Sequence, residues 1–451
     1  MDTGEHESAG GAAGTLTAPR PEDISSDENP EFSTKLKRTV GTSLLFFFIV
    51  GDTLGAGIYT LVGEMATDVG GALWAPLLVA LAVALLTAGT YSELITKYPR
   101  AGGAARFAEA AFKKPYLTFI VGFLMLASGI TTAASLANAF AGDYLAEIID
   151  VPAAPVTIAF IALLMLVIMR GAKESLSANV VMTLIEMSGL VLIILVAAYV
   201  FGSGGGDPAR VGQFAPDVPP VTGIFSASII AFFSFLGFES AANMAEEVKD
   251  PTRSYPRALF GAIGTAGVVY LLIAIGAAIV VPTNTLVGSS GPLLEILKAS
   301  GVGIPGSLFS IIALIAIANG ALLFITMASR ATYGLAEAHL LPQTFGKVMP
   351  GRRTPWVAIL VVGLVTMGMS FVGDVGDLAD VTVQLLLLVF VSANISVLVL
   401  KKDKVGHKHV TVPRIVPILA LAATAVLLTQ QDAHTWIVTG GYVLIGTAIF
   451  V

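Results

Sequence analysis

The chain has 451 residues, of which 55% are hydrophobic and only 12% charged, with a mean hydropathy of +0.84. A soluble protein of this length needs far more surface charge, so the balance excludes an ordinary soluble domain and indicates a polytopic membrane protein. There is no cysteine, which excludes disulfides and thiolate metal sites. The formal net charge of −6 belongs to the N-terminus, where residues 1–33 hold eight acidic side chains against Arg20 alone.

That first stretch lacks the basic n-region, apolar h-region and cleavage site of a signal peptide. Its Gly, Ser, Pro and acidic bias reads as a disordered cytoplasmic tail. Beyond it, a helix crossing the hydrocarbon core needs about 20 mainly apolar residues. This ruler predicts spans near 41–64, 71–98, 115–146, 153–170, 177–202 and 222–246. Six more follow near 256–281, 305–335, 355–373, 378–400, 412–430 and 433–451. Between Pro282 and Gly301, the amphipathic PLLEILKAS predicts a short helix across the outer mouth, either a plain surface helix or a gate. The partition divides into a tail of 1–33, a first five-helix unit of 34–202, a second of 222–400 and two added helices over 412–451.

Basic residues test the partition independently. With the N-terminus inside, internal loops hold Lys35, Lys37, Arg38, Lys97, Arg100, Arg106, Lys113, Lys114, Arg170, Lys173, Lys249, Arg253, Arg257, Lys347, Arg352, Arg353 and the run Lys401–Arg414. External loops keep only Arg210 and Lys298. This asymmetry is what the positive-inside rule requires, so twelve spans with both termini cytoplasmic are expected in the cytoplasmic membrane.

Two spans carry interruptions. The first reads FIVGDTLGAGIYTLVGE and breaks at Gly55-Ala56-Gly57; the sixth reads IIAFFSFLGFESAANMAEEVKDP, with Gly237 at its centre. Each begins a possible unit of five, and breaks at corresponding positions point to a transporter site. An unwound stretch frees N–H groups at the start of one half-helix and carbonyls at the end of the other, and such backbone is tolerated only lining a cavity or buried in protein. Freed amides with a positive helix-end dipole suit a carboxylate, and freed carbonyls suit an ammonium, so the pair is complementary to an α-amino acid. The alternative for the glycines is a close-packing face of small residues.

Several stretches together resemble the amino acid–polyamine–organocation transporters. They are LGAGIY, ELITKYPRAGGAARFAEAAF, GFESAANMAEEVKDPTRSYPRAL and SRATYGLAEAHLLP, spread over the first ten spans, and they are most similar to the cationic amino acid transporter branch. The resemblance implies an all-α fold of the leucine-transporter kind: twelve membrane helices, a 5+5 inverted repeat with helices 1 and 6 broken, and two C-terminal helices. It also implies alternating access around a central amino acid. Carried over by position, the amides of Ala56, Gly57 and Ile58, beside Gly55, would hold the substrate carboxylate. Carbonyls of Thr53, Phe233, Ser234 and Leu236 would hold its ammonium, and Phe235 and Phe238 would close over or shape the pocket.

The chain departs from the family in two places. Sodium-coupled relatives use small hydroxyl residues of span eight, whereas this chain has Asn319 and Gly320 there, with Thr326 and Ser329 further along. Proton-coupled members often carry a lysine about here in span five, where this chain has Glu186 as the span's only acidic or basic side chain. An ionised carboxylate at mid-span is unfavourable by roughly 2.5–3.5 kcal/mol on insertion scales, so Glu186 is the expected proton-coupling group, with Asp52 as partner or second site. The alternative is that one or both stay permanently protonated and hydrogen-bond between helices. Glu239 follows the second break and reads as a cap on the broken helix, or less favourably as a reader of a basic substrate. Glu93 is expected in a structural ion pair near Lys97 and Arg100, and Glu246, Glu247 and Lys249 in gate or surface pairs.

Other functions fit less well. A channel needs a continuous polar stripe or a charged ring. A membrane enzyme needs a convergent set, and His6, His339, His407, His409 and His434 lie apart in the tail and loops. No metal, cofactor or nucleic-acid partner is expected. The expected partners are an amino acid, a proton and the lipid bilayer, with the oligomeric state open. Exchange instead of symport, or a non-transporting nutrient sensor with the tail as output, stay as alternatives.

Overall fold

The computed structural model describes residues 38–450 except 39, 56, 101, 171–174, 350, 351 and 353. The acidic tail and Ala56 lie outside the described residues. Regular structure among these residues is helical, apart from an isolated parallel bridge between Val40 and Val248. The first half holds α1 (Thr42–Thr53), α2 (Gly57–Val69), α3 (Trp74–Lys97), α4 (Gly103–Phe112), α5 (Pro115–Phe140), α6 (Asp143–Ala146), α7 (Ala153–Arg170) and α8 (Ser175–Gly202). Then come α9 (Pro220–Phe233), α10 (Pro251–Val280), α11 (Thr283–Leu286), α12 (Pro292–Ser300), α13 (Gly306–Glu337), α14 (Trp356–Met369), α15 (Val375–Leu400), α16 (Ile415–Thr429) and α17 (Ala433–Phe450).

Among the described residues, nine helical stretches are long and apolar enough to cross a membrane. The sixth, ninth and eleventh expected spans coincide with the shorter apolar helices α9, α14 and α16, of which α9 starts two residues before its expected span. The chain is a multi-pass membrane protein. Its outermost helices expose their apolar residues, as Leu166 at 62% and Leu444 at 72% show, which is the surface lipid tails solvate.

Three local features depart from the hydropathy reading. The stretch after span two is not all loop: Gly102 and Gly103 adopt φ of +117° and +50°, and α4 starts there. The seventh span starts early because Asp250 caps the Arg253 N–H and Pro251 occupies the first helical turn, where a missing N–H costs nothing. The inner half of span six is no α-helix; turns from Ser234 to Glu239 lead into a 3-10 helix over Ser240–Met244.

The interior is organised around α1, α2 and α9. α5 packs along α13 and α15, α1 lies against α8 and α10, and α2 and α3 lie against α9. PLLEILKAS forms α12, as its pattern predicts. Its Leu293, Leu294, Ile296 and Leu297 are buried against α2, α8, α10 and α13, so the helix is set into the bundle.

Candidate functional site

Both expected breaks are present, and they face one another. α1 ends at Thr53 and α2 starts at Gly57, so the first-turn amides of Gly57 and Ile58 have no partner within their helix. Across from them, α9 ends at Phe233. The approach is so close that a Cβ on Gly57 would stand 2.8 Å from the Ser234 Cα. Gly237 adopts φ +115°, and a Cβ there would stand 2.7 Å from the Asp52 carbonyl oxygen. Any larger residue at either position would push the two breaks apart. The glycines therefore serve both readings: they end the helices, and they let the two backbones touch.

A small cavity of about 10 Å³ lies between the breaks. Asp52, Thr53, Gly55 and Gly57 line it from the first break, and Phe233, Ser234 and Leu236 from the second. Thr132 and Leu136 of α5, with Gly320 and Phe324 of α13, close the far side. That volume holds about one water, so this conformation is shut around the site. The hydroxyls of Thr53 and Ser234 are buried without a hydrogen-bond partner among the described residues. A larger cavity, about 450 Å³, lies away from this chemistry, between α6 and the α11–α12 segment, and is bordered by Asp143, Glu147, Glu295 and Lys298.

Tyr270 of α10 was not singled out from sequence. Its buried hydroxyl lies within hydrogen-bonding reach of the Thr53 carbonyl and 2.9 Å from that of Ser234. One hydrogen thus bridges the two breaks, on two of the carbonyls expected to hold an ammonium. A third, Phe233, accepts the Leu236 N–H at 3.1 Å. Nothing local marks Tyr270; it is one of ten tyrosines in the chain, and only the packing of α10 against α1 aims it here.

The ionisable residues take distinct positions. Asp52 is 5% exposed and accepts from the Ser240 hydroxyl, which also lies 2.7 Å from the Gly237 carbonyl, tying the end of α1 to the turn after α9. Glu239 accepts the Gly237 N–H at 2.9 Å and does not border the cavity; its side chain makes no bond to the 3-10 helix that follows, so it pins the turn before that helix instead of capping it. Glu186 is fully buried, and neither of its carboxyl oxygens has a hydrogen-bond partner among the described residues. Tyr59 donates to its backbone carbonyl at 2.8 Å.

Two aromatic residues fall behind the wall instead of over the pocket. Phe235 packs edge-on against Tyr270, and Phe238 stacks on Phe390 beside Tyr91. Asn319 is buried and donates to Asn179, whereas Thr326 and Ser329 bond within their own helix. At the end assigned to the cytoplasm, Glu93 pairs with Lys401 and accepts the Val412 N–H. Lys97, the nearer expected partner, donates instead to the carbonyls of Leu400 and Asp403. Near Glu247 and Lys249, Val40 donates to the Glu247 carbonyl and accepts the Lys249 N–H.

Comparison with known proteins points the same way as this geometry. A family model described as amino acid permease matches residues 40–447. The chain is 25% identical over 445 residues to a methylthioribose transporter of Bacillus subtilis, covering 93% of this chain and 94% of that protein. It is 23% identical to the branched-chain amino acid permease BcaP of the same species, covering 82% of each. It is 27% identical to the vacuolar cationic amino acid transporter 4 of Arabidopsis thaliana, covering 78% of this chain and 61% of that protein.

Proposed function

Because the chain belongs to the amino acid permease family, we propose that it is a secondary active transporter moving amino acids across the cytoplasmic membrane by alternating access, coupled to protons. The observation that carries the reading is the close approach of two helix breaks around one cavity, with first-turn amides on one side and helix-end carbonyls on the other. Amides at Ala56, Gly57 and Ile58 receive the substrate carboxylate, and the carbonyls of Thr53, Phe233, Ser234 and Leu236 receive its ammonium. Relatives named for branched-chain and for cationic amino acids support that substrate class. Among the described residues, nine long helical stretches and three shorter apolar helices, with basic residues concentrated in alternate loops, support twelve spans in a 5+5 arrangement with both termini inside.

Glu186 is the coupling group, with Asp52 as its partner near the end of α1. A carboxyl that lacks partners in hydrocarbon is costly to keep unless it is used. Uptake into proteoliposomes under an imposed pH gradient tests the assignment. Glu186→Gln should lose gradient-driven accumulation, and full accumulation by that variant would overturn the coupling role.

A further inference from the structure

Between α1, α8 and α13 lies a group of buried polar side chains that do not border the substrate cavity. Asn179, Thr183 and Glu186 are four and three residues apart on α8 and so share one face. They are 3%, 0% and 0% exposed. Asn319 of α13 donates its amide to the Asn179 side-chain oxygen at 3.1 Å. Among the described residues, that bond leaves Asn179 Nδ2 and Asn319 Oδ1 without partners, along with Thr183 Oγ1 and both carboxyl oxygens of Glu186. Gly51 of α1 closes the group, since a Cβ there would collide with the Thr183 hydroxyl and lie 3.3 Å from Asn179 Oδ1.

Buried polar atoms are normally paired, and clusters of unpaired ones are where ordered water is held. The balance of donors and acceptors distinguishes water from a bare cation. However the two amides are turned, a single Asn–Asn hydrogen bond leaves one NH₂ and one carbonyl oxygen free. The NH₂ repels a cation, whereas water accepts from it and donates to the remaining oxygens. The three α8 residues also climb from the helix end assigned to the cytoplasm toward mid-membrane.

We propose that Asn179, Thr183 and Asn319 hold a short chain of water that passes protons between the N-terminal end of α8 and Glu186. This rests on the reading of Glu186 as the coupling group. Each water takes one proton and releases another, so one proton leaving Glu186 emerges at the far end without a bound ion. The titratable groups close enough to act electrostatically on Glu186 are Asp52 of α1, Tyr59 of α2 and Tyr270 of α10. α13 brings the non-titrating Asn319 to the group, and on α12 Glu295 and Lys298 are engaged with each other, Lys298 also with Glu147.

Proteoliposomes loaded with a pH-sensitive dye test this, using an equimolar mixture of ¹⁴C-labelled amino acids as probe. Thr183→Val keeps the shape and removes the hydroxyl; Asn179→Leu removes the amide. Each should lower pH-gradient-driven accumulation and substrate-linked proton entry at least tenfold, while counterflow without a gradient stays within twofold of the parent protein. Thr183→Ser should restore both. Accumulation within twofold of the parent in both variants overturns the relay, as does equal loss of counterflow in both, or accumulation that requires a sodium gradient. If Thr183→Val fails to fold, Asn179→Leu decides alone. Absence of counterflow in the parent protein would instead overturn the transporter reading and this inference with it.

Discussion

Gly57 and Tyr270 show how the two breaks are held. A side chain at Gly57 would enter the space of the Ser234 backbone, so Gly57→Leu separates the two halves of the site. Uptake should be abolished while expression and membrane insertion persist, as measured by transport and by detergent-extracted yield; near-normal uptake would refute the site. Tyr270→Phe removes the hydrogen that bridges the Thr53 and Ser234 carbonyls. Leaving buried acceptors unpaired costs about 1–3 kcal/mol, so thermal unfolding of the free protein should shift down. If a substrate ammonium takes the same carbonyls, ligand should raise the midpoint more in Tyr270→Phe than in the parent. An equal rise in both would make Tyr270 a structural brace only. Asp52, by contrast, was legible as an anomaly but not as a contact, because its bond to Ser240 joins residues 188 apart in sequence.

At the scale of elements, the apolar runs located the helices well, and α7 occupies the range its run predicts. Hydropathy read α4 as loop because a short helix with an exposed polar face has no membrane-length run. It also carried span six through as a break between two half-helices. In the structure the second half tightens into 3-10 geometry, since Gly237, Glu239 and Ser240 spend their bonds on the turn. The α15–α16 connection is anchored by the Lys401–Glu93 pair, whose side chains are 8% and 2% exposed. Removing one member of a buried pair strands the other, which costs about 3–5 kcal/mol, whereas replacing both with apolar residues is often neutral. Glu93→Met should therefore lower the unfolding midpoint sharply, and Glu93→Met with Lys401→Met should recover most of it. A double variant as unstable as the single one would show that the bonds of these two side chains to the Val412 N–H and carbonyl, and not the ion pair, hold the loop.

For the whole molecule, a central cavity of about 10 Å³ means that an amino acid enters only after the helices around it move. The absence of cysteine makes that movement measurable without background. A single cysteine at Leu136, on the cavity wall, should react slowly with a membrane-impermeant thiol reagent. The rate should rise as substrate drives the cycle and change with the side from which reagent is applied. A rate unaffected by substrate from either side would argue against alternating access through this cavity.

The sequence by itself determined the class of molecule, the positions of most membrane helices and the two breaks. Each of these rests on composition or on short-range patterns of apolar, basic and glycine residues. Only the tertiary structure decided what the breaks touch: Gly57 against Ser234, Gly237 against Asp52, and Tyr270 across both carbonyls. It alone paired Glu93 with Lys401, 308 residues away, and set Asn179, Thr183 and Glu186 beside Asn319. Hydropathy and charge are local properties of the chain, whereas the partner of a buried polar atom is chosen by which helices pack together.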